Sequence, residues 1–366
     1  MPHRVSLALQ GGGAHGAFTW GVLDRLLDEV GAGRLEFAAL SGTSAGAINA
    51  ALCAAGLGEE GRQADNAKRS QQLLTDFWGA LAEQAFYSGN PLLGGTVQNY
   101  FPNFVPTWNI DWSPAAIAYE MVSLVLSPYD APFYSNPLAP LLQQFLPAPA
   151  LAALNRGGGP ALHVCATNVN TNKRRVFTQP DISIDSLLAS AALPTNFQAV
   201  QVDGAVYWDG AFMGNPALAP LVSTAQDMIV VTVNPRRIST APRSAREILD
   251  RLNDIGGNAP LILEMNAIHA VNKLLSRLRP EQAAASGYQT VHMHLLRDDE
   301  LMAPLGVVGK GNASAAFLAW LHDAGHATAE RWLAAHIDDL GLTSTSSWKD
   351  GFDPEFDLID PVLKGG

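Results

Sequence analysis

The chain has 366 residues, enough for one extended α/β domain with a sizeable core. Its formal net charge of −11 and charged fraction of 16% leave no broad basic surface for phosphates, which excludes nucleic acid as a main partner. Cys53 and Cys165, the two cysteines, each sit in an apolar run and read as buried free thiols of a reducing compartment.

The first predicted element is a buried strand over residues 5–9, which runs straight into Gln10-Gly11-Gly12-Gly13-Ala14-His15-Gly16. The helix after it shows Phe18, Val22, Leu23, Leu26, Leu27 and Val30 on one face and stops near Gly31 and Gly33. A short strand over 37–40 feeds Gly42-Thr43-Ser44-Ala45-Gly46, and an almost uncharged helix follows over 45–57. Strand, turn, helix, repeated, is the rhythm of a parallel α/β sheet.

Residues 86–135 break this rhythm and are dense in aromatics, Trp108 and Trp112 among them. They read either as a cap over the sheet's C-terminal edge that governs substrate access, or as an irregular part of the core. The longest apolar stretch, 115–126, is interrupted by Glu120 and is too short to span a membrane. No charged n-region precedes an apolar h-region at the N-terminus, so no signal peptide is expected and the predicted location is cytoplasmic.

Further along, 162–167 and 175–178 pair as a hairpin around Asn170-Thr-Asn-Lys173, and strands are expected over 228–233 and 290–296. Helical patterns fill 245–278 and 313–340, the second broken at Gly325. The tail after Thr343 is Ser/Thr-rich and then acidic, and reads as a surface strap or a partly disordered end.

The chemistry is carried by the two glycine-rich turns. G-x-S-x-G between an apolar strand and an apolar helix is a sharp turn that projects the Ser44 hydroxyl from the end of a sheet. Consecutive glycine amides at Gly11, Gly12 and Gly13, joined by the Ala45 amide at a helix N-terminus, could hold the oxyanion that forms when a serine attacks an ester. The first turn also satisfies G-x-G-x-x-G, but a dinucleotide site needs an acidic residue at the end of the second strand. That strand ends Leu40-Ser41-Gly42, with Glu36 at the wrong end.

A serine needs a base. Asp203-Gly204 and Asp209-Gly210 both resemble turns, and Asp209 is the better candidate because Tyr207-Trp208 precedes it and Gly210-Ala211 leaves room for close approach. Nine histidines keep a Ser-Asp-His triad open as an alternative, although an elbow this early fits the α/β-hydrolase order poorly. A non-catalytic nucleotide- or lipid-binding protein is the other alternative. His322, His326 and Glu330 recur at four-residue intervals, but the expected helix stop at Gly325 splits them, and no metal or other cofactor is anticipated.

Gly11 to Gly16, Gly42 to Gly46, the small-residue segment 189–194 ending in Pro194, and Asp209-Gly210-Ala211 occur in the order that characterises patatin-like phospholipases, which this chain resembles over roughly residues 4–235. The resemblance implies a three-layer α/β/α sandwich with a mainly parallel central sheet and an aromatic-rich cap insertion. It also implies a lipid acyl hydrolase with a Ser44–Asp209 dyad, acting on phospholipids, galactolipids, glycerides or simple esters, with peripheral membrane contact. The family loop carries a basic Arg where this chain has His15, so anion support from this position becomes pH-dependent. The expected organisation is one domain over 1–343, with the cap at 86–135 and C-terminal helices at 312–340, then an acidic tail over 344–366.

Overall fold

The computed structural model describes residues 1–87, 108–111, 113, 117, 121, 125–130 and 134–346. Most of the expected cap, including Trp112, and the tail beyond 346 lie outside the described residues.

In chain order the main elements are β1 (His3–Leu9), α1 (Gly16–Gly31), β2 (Leu35–Thr43), α2 (Ala45–Leu57), α3 (Gln63–Tyr87), α4 (Leu138–Phe145) and α5 (Ala148–Asn155). There follow β3 (Ala161–Asn168), β4 (Lys173–Thr178), α6 (Ile184–Ser190), β5 (Val200–Val202), β6 (Ala205–Asp209), β7 (Asp227–Val231), α7 (Ala245–Leu275), β8 (His292–Leu296) and α8 (Ala315–His336). Eight strands form one sheet in the order β5-β6-β3-β2-β1-β7-β8, with β4 paired to β3. The pairs β3–β2, β2–β1, β1–β7 and β7–β8 are parallel, whereas β4, β5 and β6 join antiparallel. The α/β reading therefore holds, with a mostly parallel sheet flanked by helices.

The central strands are apolar because both their faces are covered. Leu7 and Leu9 pack into a large cluster with α1, α2 and α8, while Ala8 faces a smaller one with Leu261 and Met265 of α7. The α1 stripe is buried as its spacing predicts, from Phe18 to Val30. At the N-terminus of α7 a capping box closes: Glu247 N–H donates to Ser244 Oγ and Ser244 N–H to the Glu247 carboxylate. Asp203 and Gly204, at φ 50° and 78°, form the tight turn between β5 and β6, the turn role expected for Asp203.

Two sequence expectations are corrected. Gly325 does not break a helix, because α8 runs through it without interruption. A Cβ at Gly325 would stand 2.0 Å from the Phe18 carbonyl oxygen, and one at Gly21 would stand 1.9 Å from that of His322. The two glycines let α1 and α8 cross backbone to backbone, so the residue read as a stop is a packing contact. Trp108 is not an exposed cap residue either. Its half-buried ring lies 5.4 Å from that of Phe317 and 5.9 Å from that of Trp320, where it adds to the wall made by α8.

After α8 the chain returns to β8 as a strap. Met293 N–H donates to Ser344 Oγ, Ser346 N–H donates to the Met293 carbonyl, and Gly341 N–H donates to Asp227. Among the described residues no helix is long and apolar enough to cross a membrane. Nor, among them, do three or more His, Cys, Asp or Glu side chains cluster as metal ligands would.

Candidate active site

Sheet register brings the two candidate side chains together. Thr43 is opposite Cys165 on β3, and Asp209 is opposite Ala166, the next residue along. Asp209 thus reaches the end of β2, where Ser44 begins the turn into α2. Thr43 Oγ1 ties that end down by donating to the Gly214 carbonyl at 2.6 Å.

Ser44 occupies a strained backbone position, φ 56° and ψ −128°, the geometry expected of an elbow. Its carbonyl already accepts from Ala47 and Ile48 N–H, and its amide donates to Ser190 Oγ at 2.9 Å. Ser190 in turn donates to the Cys165 carbonyl at 2.6 Å, so the small-residue segment after α6 braces the elbow from below. Gly46 is required here because a Cβ would lie 2.2 Å from the Leu9 carbonyl oxygen, and that contact sets α2 against the end of β1.

The Asp209 carboxylate lies beside the Ser44 side chain, whose hydroxyl favours its ionised form. Asp209 is 3% exposed, and its Oδ1 also accepts the Ala211 amide at 2.9 Å. Burial raises its pKa to about 6 and outweighs the opposing effects of those two donors and of Lys310. A carboxylate in that range is ionised at neutral pH and still basic enough to accept a proton.

The glycine loop lies directly against the serine. A Cβ at Gly11 would sit 2.8 Å from the Ser44 Cβ, so only glycine permits this approach. Among the described residues the amides of Gly12, Gly13 and Ala45 have no acceptor, whereas Gly11 N–H donates to Asn215 Oδ1 at 2.8 Å. Gly11 is therefore a fixed point of the loop rather than one of its free donors, which corrects the sequence expectation for that residue.

Several of the residues that hold the loop had no signal in a linear reading. Gln10 is fully buried; its Oε1 accepts from Val233 and Asn234 N–H, both at 2.9 Å, and its Nε2 donates to Asn258 Oδ1 at 3.0 Å. Asn215 Nδ2 donates to the Gly257 carbonyl of α7. The only hints were that Gln10 precedes the glycines and that Asn215-Pro216 follows Asp209 at short range.

His15 does not supply a positive charge. Burial first, and Lys310 second, push its pKa down to about 3, so the ring is neutral at physiological pH. Among the described residues neither ring nitrogen has a hydrogen-bond partner, and the ring packs edge-on to Phe317 at 6.1 Å. The expected pH-dependent anion support thus falls far outside the physiological range.

The remaining histidines and the thiols have other surroundings. Among the described residues the His163 ring has no hydrogen-bond partner, and burial lowers its pKa. His292 and His294 both approach Asp227, at 3.3 and 3.0 Å. His322 bonds Asp24. Cys165, beneath the elbow, is a buried thiol pushed up to about 12, and Cys53 is shifted in the same direction.

A sequence profile described as patatin-like phospholipase matches residues 7–222, a span that includes the glycine loop, Ser44 and Asp209. No curated protein matches the chain. Among solved structures it is similar to VipD from Legionella pneumophila, at 16% identity over 88% of this chain and 67% of that one, with a TM-score of 0.36. It is similar also to the type III effector ExoU, at 18% identity over 93% of this chain and 54% of that one, with a TM-score of 0.32. A further likeness is to full-length ExoU of Pseudomonas aeruginosa in complex with SpcU, at 14% identity over 91% and 53%, with a TM-score of 0.29. The chain spans about half the length of ExoU.

Proposed function

The chain belongs to the patatin-like phospholipase family, and from that premise we propose that it hydrolyses acyl esters of lipids through a Ser44–Asp209 dyad and an acyl-enzyme. The observation that carries this reading is the sheet register that brings the Ser44 elbow beside the buried Asp209, whose pKa burial raises to about 6.

As Ser44 Oγ forms its bond to the acyl carbon, its proton passes to Asp209. Negative charge then develops on the carbonyl oxygen, where the free amides of Gly12, Gly13 and Ala45, with the positive end of α2, stabilise it. Collapse of the intermediate breaks the ester bond, and Asp209 returns the proton to the departing alkoxide. Water then attacks the acyl-enzyme and loses its proton to Asp209; the acyl–Oγ bond breaks, the carboxylic acid leaves, and Asp209 returns the proton to Ser44 Oγ. His15, neutral and apolar in its contacts, keeps water from the back of the loop. The site would work in a cytoplasmic protein that meets its lipid peripherally.

The test uses p-nitrophenyl esters of graded chain length and phosphatidylcholine vesicles, with fatty-acid and head-group release scored separately. Ser44→Ala should lower ester hydrolysis at least ~10³-fold with the fold intact, and a fluorophosphonate should label the wild type only. Labelling at another serine, with activity retained in Ser44→Ala, would overturn the assignment.

A further inference from the structure

Lys310 stands in the short helical turn Val308–Gly311, which packs against the turn Gly13–His15. Its backbone carbonyl fits where Gly13 lacks a side chain: a Cβ there would be 2.3 Å from the Lys310 oxygen. Its Nζ donates to Asn234 Oδ1 at 2.7 Å and to Asn253 Oδ1 at 2.5 Å. Two amide oxygens can only accept, so they fit an ammonium. Asn234 Nδ2 donates in turn to the Gly11 carbonyl at 3.4 Å, and Asn234 N–H is held by Gln10. One side chain therefore connects α7, the end of β7 and the glycine loop.

The charges around Lys310 come from every element packed on it. Burial lowers the Lys310 pKa from its ordinary value, whereas Asp254 and Asp250 of α7 and Asp209 at the end of β6 act against that shift, and His15 faces it from the glycine loop. Behind Asp250 lie Asp111 and Arg246; Arg251 and Asp299 act on Asp254. The glycine loop's own titratable group, His15, is uncharged at neutral pH, so the positive potential at this loop comes from outside it. A fixed cation beside a site where an oxyanion forms stabilises the transition state, and one beside a carboxylate holds that group ionised to lower pH.

We propose that Lys310 is a positioning residue of the reaction, one that fixes the Gly11–Gly13 loop through Asn234 and supplies the positive charge that His15 does not. This inference rests on the Ser44–Asp209 reading above. It assigns a role to a segment beyond the family match, which ends at residue 222.

Hydrolysis of p-nitrophenyl butyrate across pH 4.5–9 tests it, with Lys310→Gln, Lys310→Met and Lys310→Arg compared by melting temperature and by fluorophosphonate labelling. The Gln and Met variants should lose roughly tenfold to a hundredfold in kcat/KM. Their acid limb should move upward by roughly half to one pH unit, because Asp209 loses a neighbouring cation. Lys310→Arg should keep the limb in place and most of the rate. Asp254→Asn should leave the limb in place, which separates Asp209 from the other carboxylate near Lys310.

Full activity with an unmoved limb in the Gln and Met variants would overturn the proposal. So would equal losses in all three variants with no movement of the limb, or failure of both Gln and Met variants to fold while Arg is active, since either assigns Lys310 to stability alone. A wild type that fails to label at Ser44 overturns the dyad reading instead, and the two failures are thus distinguishable.

Discussion

Asp209 and Asp227 are each 3% exposed and stand on opposite sides of the same sheet's centre, each on the strand next to an edge, one at the end of β6 and the other at the start of β7. Asp227 receives the Gly341 amide on both oxygens, at 3.0 and 2.9 Å, with His294 at 3.0 Å and His292 at 3.3 Å. Although burial opposes it, the hydrogen bonds from His294 and Gly341, with His292 nearby, hold the Asp227 pKa below its usual value. Asp209 receives the Ala211 amide and has the Ser44 side chain beside it, and there burial prevails. Depth alone does not decide what a buried carboxylate can do. Asp209 is the more deeply embedded of the two and has fewer donors, and both differences raise its pKa relative to that of Asp227.

The largest effect that could break this comparison is at Asp209. Asp209→Asn keeps the shape but cannot accept the serine proton, so kcat should fall by ~10²–10⁴. The same change should stabilise the fold at pH 7. A folded pKa near 6 exceeds the unfolded value, so the ionised group opposes folding progressively as pH rises from about 4 through 6. Neutralising it should recover on the order of 1–3 kcal/mol, read as a higher urea midpoint. A variant that is both inactive and less stable would mean Asp209 is chiefly structural.

The pH profile sharpens the contrast. The kcat/KM of wild type should fall as pH drops through about 6, as Asp209 takes up its proton. His163→Gln, His292→Gln and His294→Gln should each keep that limb and more than roughly a tenth of the rate, because loss of a triad base costs orders of magnitude more. Collapse of activity at one of these histidines, in a folded variant, would restore the triad.

The smallest effect on catalysis is expected at Asp227. Asp227→Asn should leave the rate within about threefold, while lowering stability by about 2 kcal/mol at pH 7 through the donors left unpaired. Because the folded pKa of Asp227 is depressed, its contribution is complete above the unfolded value and disappears as pH falls through the folded one. Urea midpoints of wild type and variant should therefore converge in acid. A constant gap at all pH values would show that the effect is steric.

The elbow and the glycine loop were legible in the sequence because backbone chemistry at glycine is local, and a G-x-S-x-G turn between apolar runs admits few other structures. The turn at Asp203 and the strand end at Asp209 were legible too, from flanking residues whose turn and strand roles differ. What the sequence hid is tertiary. Nothing near Gly11 in the chain says that Asn215 takes its amide, or that Lys310 arrives beneath Gly13 from the far end of the fold. Gly325 was misread because a glycine that ends a helix and one that lets two helices touch look alike until the partner helix is known.

That crossing of α1 and α8 also bears on synthesis. Arg25 of α1 bonds Glu330 of α8 across 305 residues of sequence, and closures of this span are late events in folding. At about 5–20 residues per second, α1 waits roughly 15 to 60 seconds on the ribosome before α8 emerges. In that interval Phe317 is not yet against His15, and Lys310 has only just been made. A nascent chain should therefore stay idle until α8 docks on α1. Chains stalled short of residue 312 should resist fluorophosphonate, whereas released ones react; equal labelling of both would refute the delay.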